Sequence, residues 1–400
     1  MLFFYIFDVE FSVGCIFMPW LIVIAYNLFI RSNAKGRIDA YPILPDKVGK
    51  RPDALVYFLV IALSFEIFYV FFRALISPME AYDALSIYAM KAKIFYLARS
   101  VPSGYFSELG RLFPHPEYPL NIPLAETLAY LSMGRLNDLL VKAIFPVYFI
   151  ALLALFYFSI RSFAGKRYSL LFTFLLASLP QFSSYATNGY LDLVLAYYVF
   201  GSSAFIFLWF RDKGRIYYLV ISAVFAGLSA WTKNEGIIYC AINIALISIF
   251  GRETYKKILY AVIILAVMSP WLWVRISSRI PAADISAANL LPSALVRNIG
   301  RVWPIINEFQ VQFFGPKKWN IIWIVFFFTF AARFKRSFSG EILPVTLSVL
   351  LPMLSYAGIY MISVHGVEWH LSTTLSRFFI HFVPLAVYYL AVVLRKDLKV

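Results

Sequence analysis

Charge is scarce in this chain. Of 400 residues only 14% are Asp, Glu, Lys or Arg, against roughly 25% in an ordinary soluble domain, and that shortage excludes both a solvated globule and a disordered polyelectrolyte. Cysteine is nearly missing as well. Cys15 and Cys240 lie in separate apolar runs, so no disulfide scaffold can hold a chain of this size. Low-complexity tracts, collagen-like periodicity and an internal repeat strong enough to argue from are also lacking. What remains is apolar: 62% of the residues are hydrophobic and 19% aromatic. Acids are outnumbered, 21 against 36 Lys and Arg, for a net charge of +15. In a soluble domain that excess would suggest nucleic acid, but in an apolar chain the first question is which side of a bilayer carries it.

A helix crossing the hydrocarbon needs about 20 mainly apolar residues. Stretches that qualify lie near 11–30, 55–76, 141–160, 168–187, 191–210, 216–234, 236–250, 258–275, 320–332, 342–362 and 378–394. The sequence therefore predicts an all-α polytopic membrane protein of about 11 transmembrane helices. The start has no basic segment and no small-residue cleavage site, so the first stretch reads as a retained helix. Three parts follow: a two-span segment, 1–76, with a basic loop; an outer loop, 77–140; and a bundle, 141–400, with a second outer loop over 277–319. Within the first outer loop, 81–97 and 120–130 have helical spacing and suit interfacial helices.

Every second connection is basic. Residues 31–53, 161–167, 211–215, 252–257, 333–341 and the tail from Arg395 hold 21 Lys and Arg against seven acids, which by the positive-inside rule makes them cytoplasmic. The N-terminus then lies outside and the C-terminus inside, in a plasma or inner membrane. The rest of the chain holds 15 bases and 14 acids, nearly neutral yet ionised, and the argument for a nucleic-acid partner falls away.

Five constellations on the outer side carry reactive side chains. Glu80 and Asp83 follow the second span, with Lys91 and Lys93 beyond them. A carboxylate at the edge of a low-dielectric slab can act as a general base, while the plainer role for Asp83 is a helix cap and for the lysines headgroup anchors. Three prolines between Pro114 and Pro119 forbid a helix and predict a stiff extended segment, on which His115 and Glu117 share a face as half of a metal site, as substrate contacts, or simply as a rigid turn. Asp192 opens an apolar span, and an ionisable group there is a functional candidate or again a cap. Glu66 lies in the middle of the second span and is expected to face the interior. Lys233 and Glu235 flank the break between the sixth and seventh spans, as a phosphate contact or as a snorkelling pair. His370 and Arg377 precede the last span, where Arg377 could clamp a phosphate or anchor at the interface beside Trp369.

In order and spacing these motifs resemble the GT-C superfamily of integral-membrane glycosyltransferases, closest to the protein O-mannosyltransferase and lipid A aminoarabinose transferase branch (glycosyltransferase family 39-like). The likeness runs from about Ser77 to Pro384: the acidic Pro78-Met-Glu-Ala-Tyr-Asp83 after a span, Lys91-Ala-Lys93, His115-Pro-Glu-Tyr-Pro119, the run from Asp192 through a basic turn to Gly227-Leu-Ser-Ala-Trp-Thr-Lys233, and Ser376-Arg377-Phe-Phe with Pro384. Here the acidic motif follows the second span rather than the first, its acids are three residues apart, and a large C-terminal periplasmic domain of the kind some relatives carry is not expected. The resemblance implies transfer of a sugar, with inversion, from a polyprenyl-phosphate donor to a glycan, lipid or protein acceptor on the extracytoplasmic face. It implies Asp83 as base with Glu80 or Asp192 orienting, Lys233 and Arg377 at the lipid phosphate, and Lys91 or Lys93 as weaker candidates there. His115, Glu117, Asp192, Glu235 and His370 would contact substrate or a divalent metal ion, which some members need and others do not. Rival readings are an O-antigen ligase or polysaccharide polymerase using Arg297 and Arg301, and a lipid-linked-sugar transporter, which should show inverted repeats.

Overall fold

The structure is a computed structural model and describes residues 1, 9–18, 21, 53–106, 115–212, 215–280, 289 and 292–395. Most of the expected first span, the basic loop after it and the end of the tail lie outside these residues. Every described element is helical.

Helix α1, Ala54–Ile76, starts where Asp53 accepts from the Val56 amide, and Arg167 pairs with the same carboxylate. Its apolar side chains are mostly exposed, among them Phe58, Ile61, Phe65, Phe68 and Phe72, as expected of a surface whose solvent is lipid. Glu66 is half-buried there. The bundle continues with α2 (Met90–Ala98) and α3 (Asn121–Met133) of the outer loop, then α4 (Ile144–Arg161), α5 (Lys166–Ala177), α6 (Asp192–Arg211), α7 (Ile216–Thr232), α8 (Gly236–Phe250) and α9 (Thr254–Ser277). After these come α10 (Val302–Phe314), α11 (Ile322–Ala332), α12 (Ile342–Ile362) and α13 (Val367–Val393). Among the described residues six helices are long and apolar enough to cross a membrane: α1, Asp138–Arg161 (which includes α4), α6, α9, α12 and α13. Helices α7, α8 and α11 are apolar but shorter.

Burial identifies the centre. Whereas only 22% of the apolar 18-residue stretch of α1 and of α9 is buried, that stretch is 83% buried in α6 and 89% in α13, and α6 packs against α4, α7 and α13. A helix hydrophobic all round is a core helix, and these two form the axis that the others surround.

Two expected spans differ in outline. The stretch over 168–187 breaks after Ala177 and resumes as a short helix, Pro180–Tyr185, because Pro180 lacks an N–H and holds Leu179 extended. The last helix begins at Val367 rather than near 378, so His370 and Arg377 lie within it. Their polarity marks a face turned to other side chains, and it reads like a loop only when those partners are unseen.

The outer loop forms both expected helices. A π-helical turn, Ala84–Ala89, leads into α2, Met90–Ala98, and α3 spans Asn121–Met133. The two pack together, and Thr127 donates to the Ala92 carbonyl. The extended segment expected around His115 is instead a turn. His115 takes a left-handed φ of 59° and its carbonyl accepts from the Tyr118 amide, so His115 and Glu117 meet by chain reversal rather than by sharing a face of an extended strand.

Candidate active site

The centre of the site is Asp192, the first residue of α6 and fully buried. Its carboxylate has three partners. Lys233 Nζ lies 2.8 Å and His381 Nε2 2.8 Å from Oδ1, and Arg377 Nε lies 3.1 Å from Oδ2. Burial of a lone carboxylate would cost several kcal/mol, on the order of the effective penalty per ion; three donors and the N-terminal end of its own helix offset that.

Each partner arrives from a different element. Lys233 is the extended residue that ends α7, and its ammonium also bonds Glu235 at 3.1 Å. The link between α7 and α8 is tight. A Cβ on Gly236 would fall 2.1 Å from the Ser229 carbonyl oxygen, so only glycine lets α8 start against the end of α7. Arg377 and His381 lie one turn apart on α13. Besides Asp192, Arg377 reaches Asp83 through Nη1 at 2.7 Å and stacks over the Tyr190 ring at 4.3 Å. His381 Nδ1 bonds the Tyr356 hydroxyl at 2.7 Å, and that hydroxyl donates to Tyr239.

Asp83 stands at the edge of this network. It precedes the π turn but makes no capping bond, and its side chain keeps 18% exposure against none for Asp192. The segment that carries it is tied at both ends: Lys142 donates to the Ser77 and Pro78 carbonyls. Gly189, with a φ of +85°, would place a Cβ 2.9 Å from that of Ala84. The Tyr88 hydroxyl is buried without a hydrogen-bond partner among the described residues, and Asp83, Asp192 and Arg377 all act on it electrostatically.

The expected residues therefore divide. Asp83, Asp192, Lys233, Glu235 and Arg377 form one chain of ion pairs although 294 positions separate the first from the last in sequence. Glu80 is exposed and takes part in no ion pair among the described residues. Lys91 is buried and donates to the His115 and Tyr118 carbonyls. Burial lowers its pKa to about 7, with Glu117 acting in the opposite direction. Lys93 pairs with Asp138 at 2.7 Å. His115 Nδ1 and Glu117 lie 2.9 Å apart; burial would raise the Glu117 pKa, but the His115 bond and the Lys91 charge hold it below the usual carboxylate value. His370 bonds Ser363. Arg301 donates to the Tyr360 and Ser363 carbonyls at the end of α12, and Arg297 is exposed.

His381, Tyr356 and Tyr88 were not legible as site residues. His381 stands alone in Phe-Ile-His-Phe, and its partner Asp192 lies 189 positions away. Among the described residues no group of three or more His, Cys, Asp or Glu side chains is placed to hold a metal ion. His115 and Glu117, one nitrogen and one carboxylate bonded to each other, fall short of a centre.

No protein-family model matches the sequence, and no curated protein matches it. Solved structures do match in fold. The chain is similar to ArnT from Cupriavidus metallidurans in its apo state, with a TM-score of 0.59 at 13% identity over 87% of this chain. The same enzyme bound to undecaprenyl phosphate gives 0.59 at 14% identity over 86%. The fold of this chain is ArnT-like. It spans 61% of the length of ArnT.

Proposed function

We propose that the protein transfers a sugar from a polyprenyl-phosphate donor to an acceptor hydroxyl or amine on the extracytoplasmic face, with inversion at the anomeric carbon. The observation that carries this reading is the partly exposed Asp83 held by Arg377 at the edge of a buried network, within a fold shared with an enzyme solved with undecaprenyl phosphate. The charge distribution supports the outer side: the site lies at the ends of spans opposite the basic connections.

In this reaction an acceptor group attacks the anomeric carbon as the bond to the phosphate oxygen breaks. The acceptor proton must go to a base, and the departing phosphate gains negative charge that needs cations. Asp83 takes the proton. Arg377 has five N–H donors and engages Nε and Nη1 with Asp192 and Asp83, which leaves others for the phosphate. Lys233 adds positive charge behind it, and the Tyr88 hydroxyl is a further donor beside the same groups. Asp192 and His381 fix the guanidinium plane and so the line of departure. Exposed apolar and aromatic faces offer the polyprenyl tail a surface that needs no particular sequence.

Single-turnover transfer from a labelled polyprenyl-phosphate sugar tests the assignment. Asp83→Asn should lower the rate by about 10²–10⁴, the range for loss of a general base, with folding intact. Unchanged turnover would remove Asp83 from the role.

A further inference from the structure

The end of the bundle away from Asp192 carries a cavity that sugar transfer does not use. Helices α6 and α8 end there and α9 and α12 begin there, and together they border an open cavity of about 570 Å³, within the range of small-ligand sites. Trp209, in its wall, is about 26 Å from Asp192 along α6 at 1.5 Å per residue.

The lining combines three kinds of chemistry. Trp209, Phe210 and Phe250 supply aromatic surface of the sort that collects at the level of lipid headgroups. Arg252 and Lys256 supply positive charge, and Glu253 and Glu341 negative charge. Arg252 is exposed and has no ion pair among the described residues, while Lys256 pairs with Glu253. Helices α9 and α12, of 24 and 21 residues, begin directly after Glu253 and Glu341, and neither carboxylate caps its own helix.

A purely anionic ligand would find its phosphate beside the cations but would also meet two carboxylates. A ligand with a phosphate and an amine satisfies both signs. Of the candidates with that pair of charges, the position at the ends of spans and the three aromatic rings favour one attached to glycerol and acyl chains. We infer that this cavity binds the headgroup of a zwitterionic, amine-bearing glycerophospholipid, with its phosphate beside Arg252 and Lys256 and its ammonium beside Glu341. The ammonium has N–H donors for the Glu341 carboxylate and a charge for the aromatic faces. A trimethylated amine would keep the charge and lose the donors. This inference stands apart from the sugar-transfer reading.

The test is native mass spectrometry of the delipidated, detergent-purified protein with phosphatidylethanolamine, phosphatidylcholine and phosphatidylglycerol of the same acyl chains. Phosphatidylethanolamine should be retained most strongly, and soluble phosphoethanolamine should displace it better than inorganic phosphate does. Arg252→Gln and Glu341→Gln should each weaken it about tenfold, the size expected for one charge-assisted hydrogen bond. Equal retention of phosphatidylcholine, or stronger retention of phosphatidylglycerol, would overturn the proposal. So would displacement by inorganic phosphate as effective as by phosphoethanolamine. The lipid comparison and the displacement use the unaltered chain and do not depend on how the variants fold. Because the readout is binding, loss of transferase activity would leave this result intact, and failure here would leave the transferase reading intact.

Discussion

Asp192→Asn should separate the network's structural role from its chemical one. Asp192 is fully buried and bonded to Lys233, Arg377 and His381 at 2.8, 3.1 and 2.8 Å. An asparagine keeps one acceptor oxygen and turns the other position into a donor, which then faces a donor of Arg377 or of Lys233. Removing one partner of a buried pair costs about 3–5 kcal/mol. Here Asp83 still faces Arg377 and Glu235 still faces Lys233, so the cost should fall near the lower end, about 3 kcal/mol. If the lost bonds form late in folding, that energy appears as unfolding about a hundredfold faster. Asp83→Asn is the control: Asp83 has one ion-pair partner, is partly exposed, and should change stability by about 1 kcal/mol or less. The assay is the half-life of the detergent-solubilised protein at fixed temperature, read by tryptophan fluorescence, since membrane proteins of this size often unfold irreversibly. Asp192→Asn unfolding within about threefold of the parent would refute the reasoning, because a fully buried carboxylate with three donors would then be energetically idle.

Glu126 is buried with neither carboxylate oxygen bonded among the described residues, and burial, with Asp138 adding and Lys93 opposing, raises its pKa to about 8. The folded protein thus keeps a proton that the unfolded chain gives up near the ordinary glutamate value of 4.5, so stability falls as pH rises toward about 8; Glu126→Gln should remove that slope in melting curves taken from pH 5 to 9, and an unaltered slope would count against it. Gly236→Ala should lower both the melting temperature and transfer activity, because the added carbon pushes α8 off the end of α7 and shifts Lys233; activity equal to the parent's would show that the tight link is not needed. Lys91→Met keeps the apolar stem but releases two carbonyls of the 115–118 turn, so hydrogen exchange there should speed up by about tenfold while global melting moves little, and unchanged exchange would mean that the turn holds itself.

Spans were readable because the bilayer demands long apolar runs, and ten of the expected stretches coincide with helices or parts of helices. What local reading missed has a common cause. The polar residues His370 to Arg377 looked like a loop because their partners lie elsewhere in the chain, and the same distance hid His381. Around His115 the prolines leave an extended segment and a rigid turn both open, because they restrict their neighbours without revealing a left-handed φ at a non-glycine position. Asp83 and Asp192 both had a cap as their simpler explanation, and it is the side-chain partners on α7 and α13 that assign them to one network. Lys91 and Lys93 had the right chemistry for a phosphate, yet their surroundings give them to carbonyls and to Asp138.

Arg377 and His381 are four positions apart on α13 and hold the same carboxylate. Both grips therefore depend on a single rotational setting of one helix: turning α13 by the angle of one residue, about 100°, would carry both side chains away from Asp192 together. A half-assembled centre with one grip closed and the other open is disfavoured by the geometry. Seating this helix in the bundle and completing the centre are the same event, so a chain in which α13 is inserted out of phase would be inactive even if every span were correctly in the membrane.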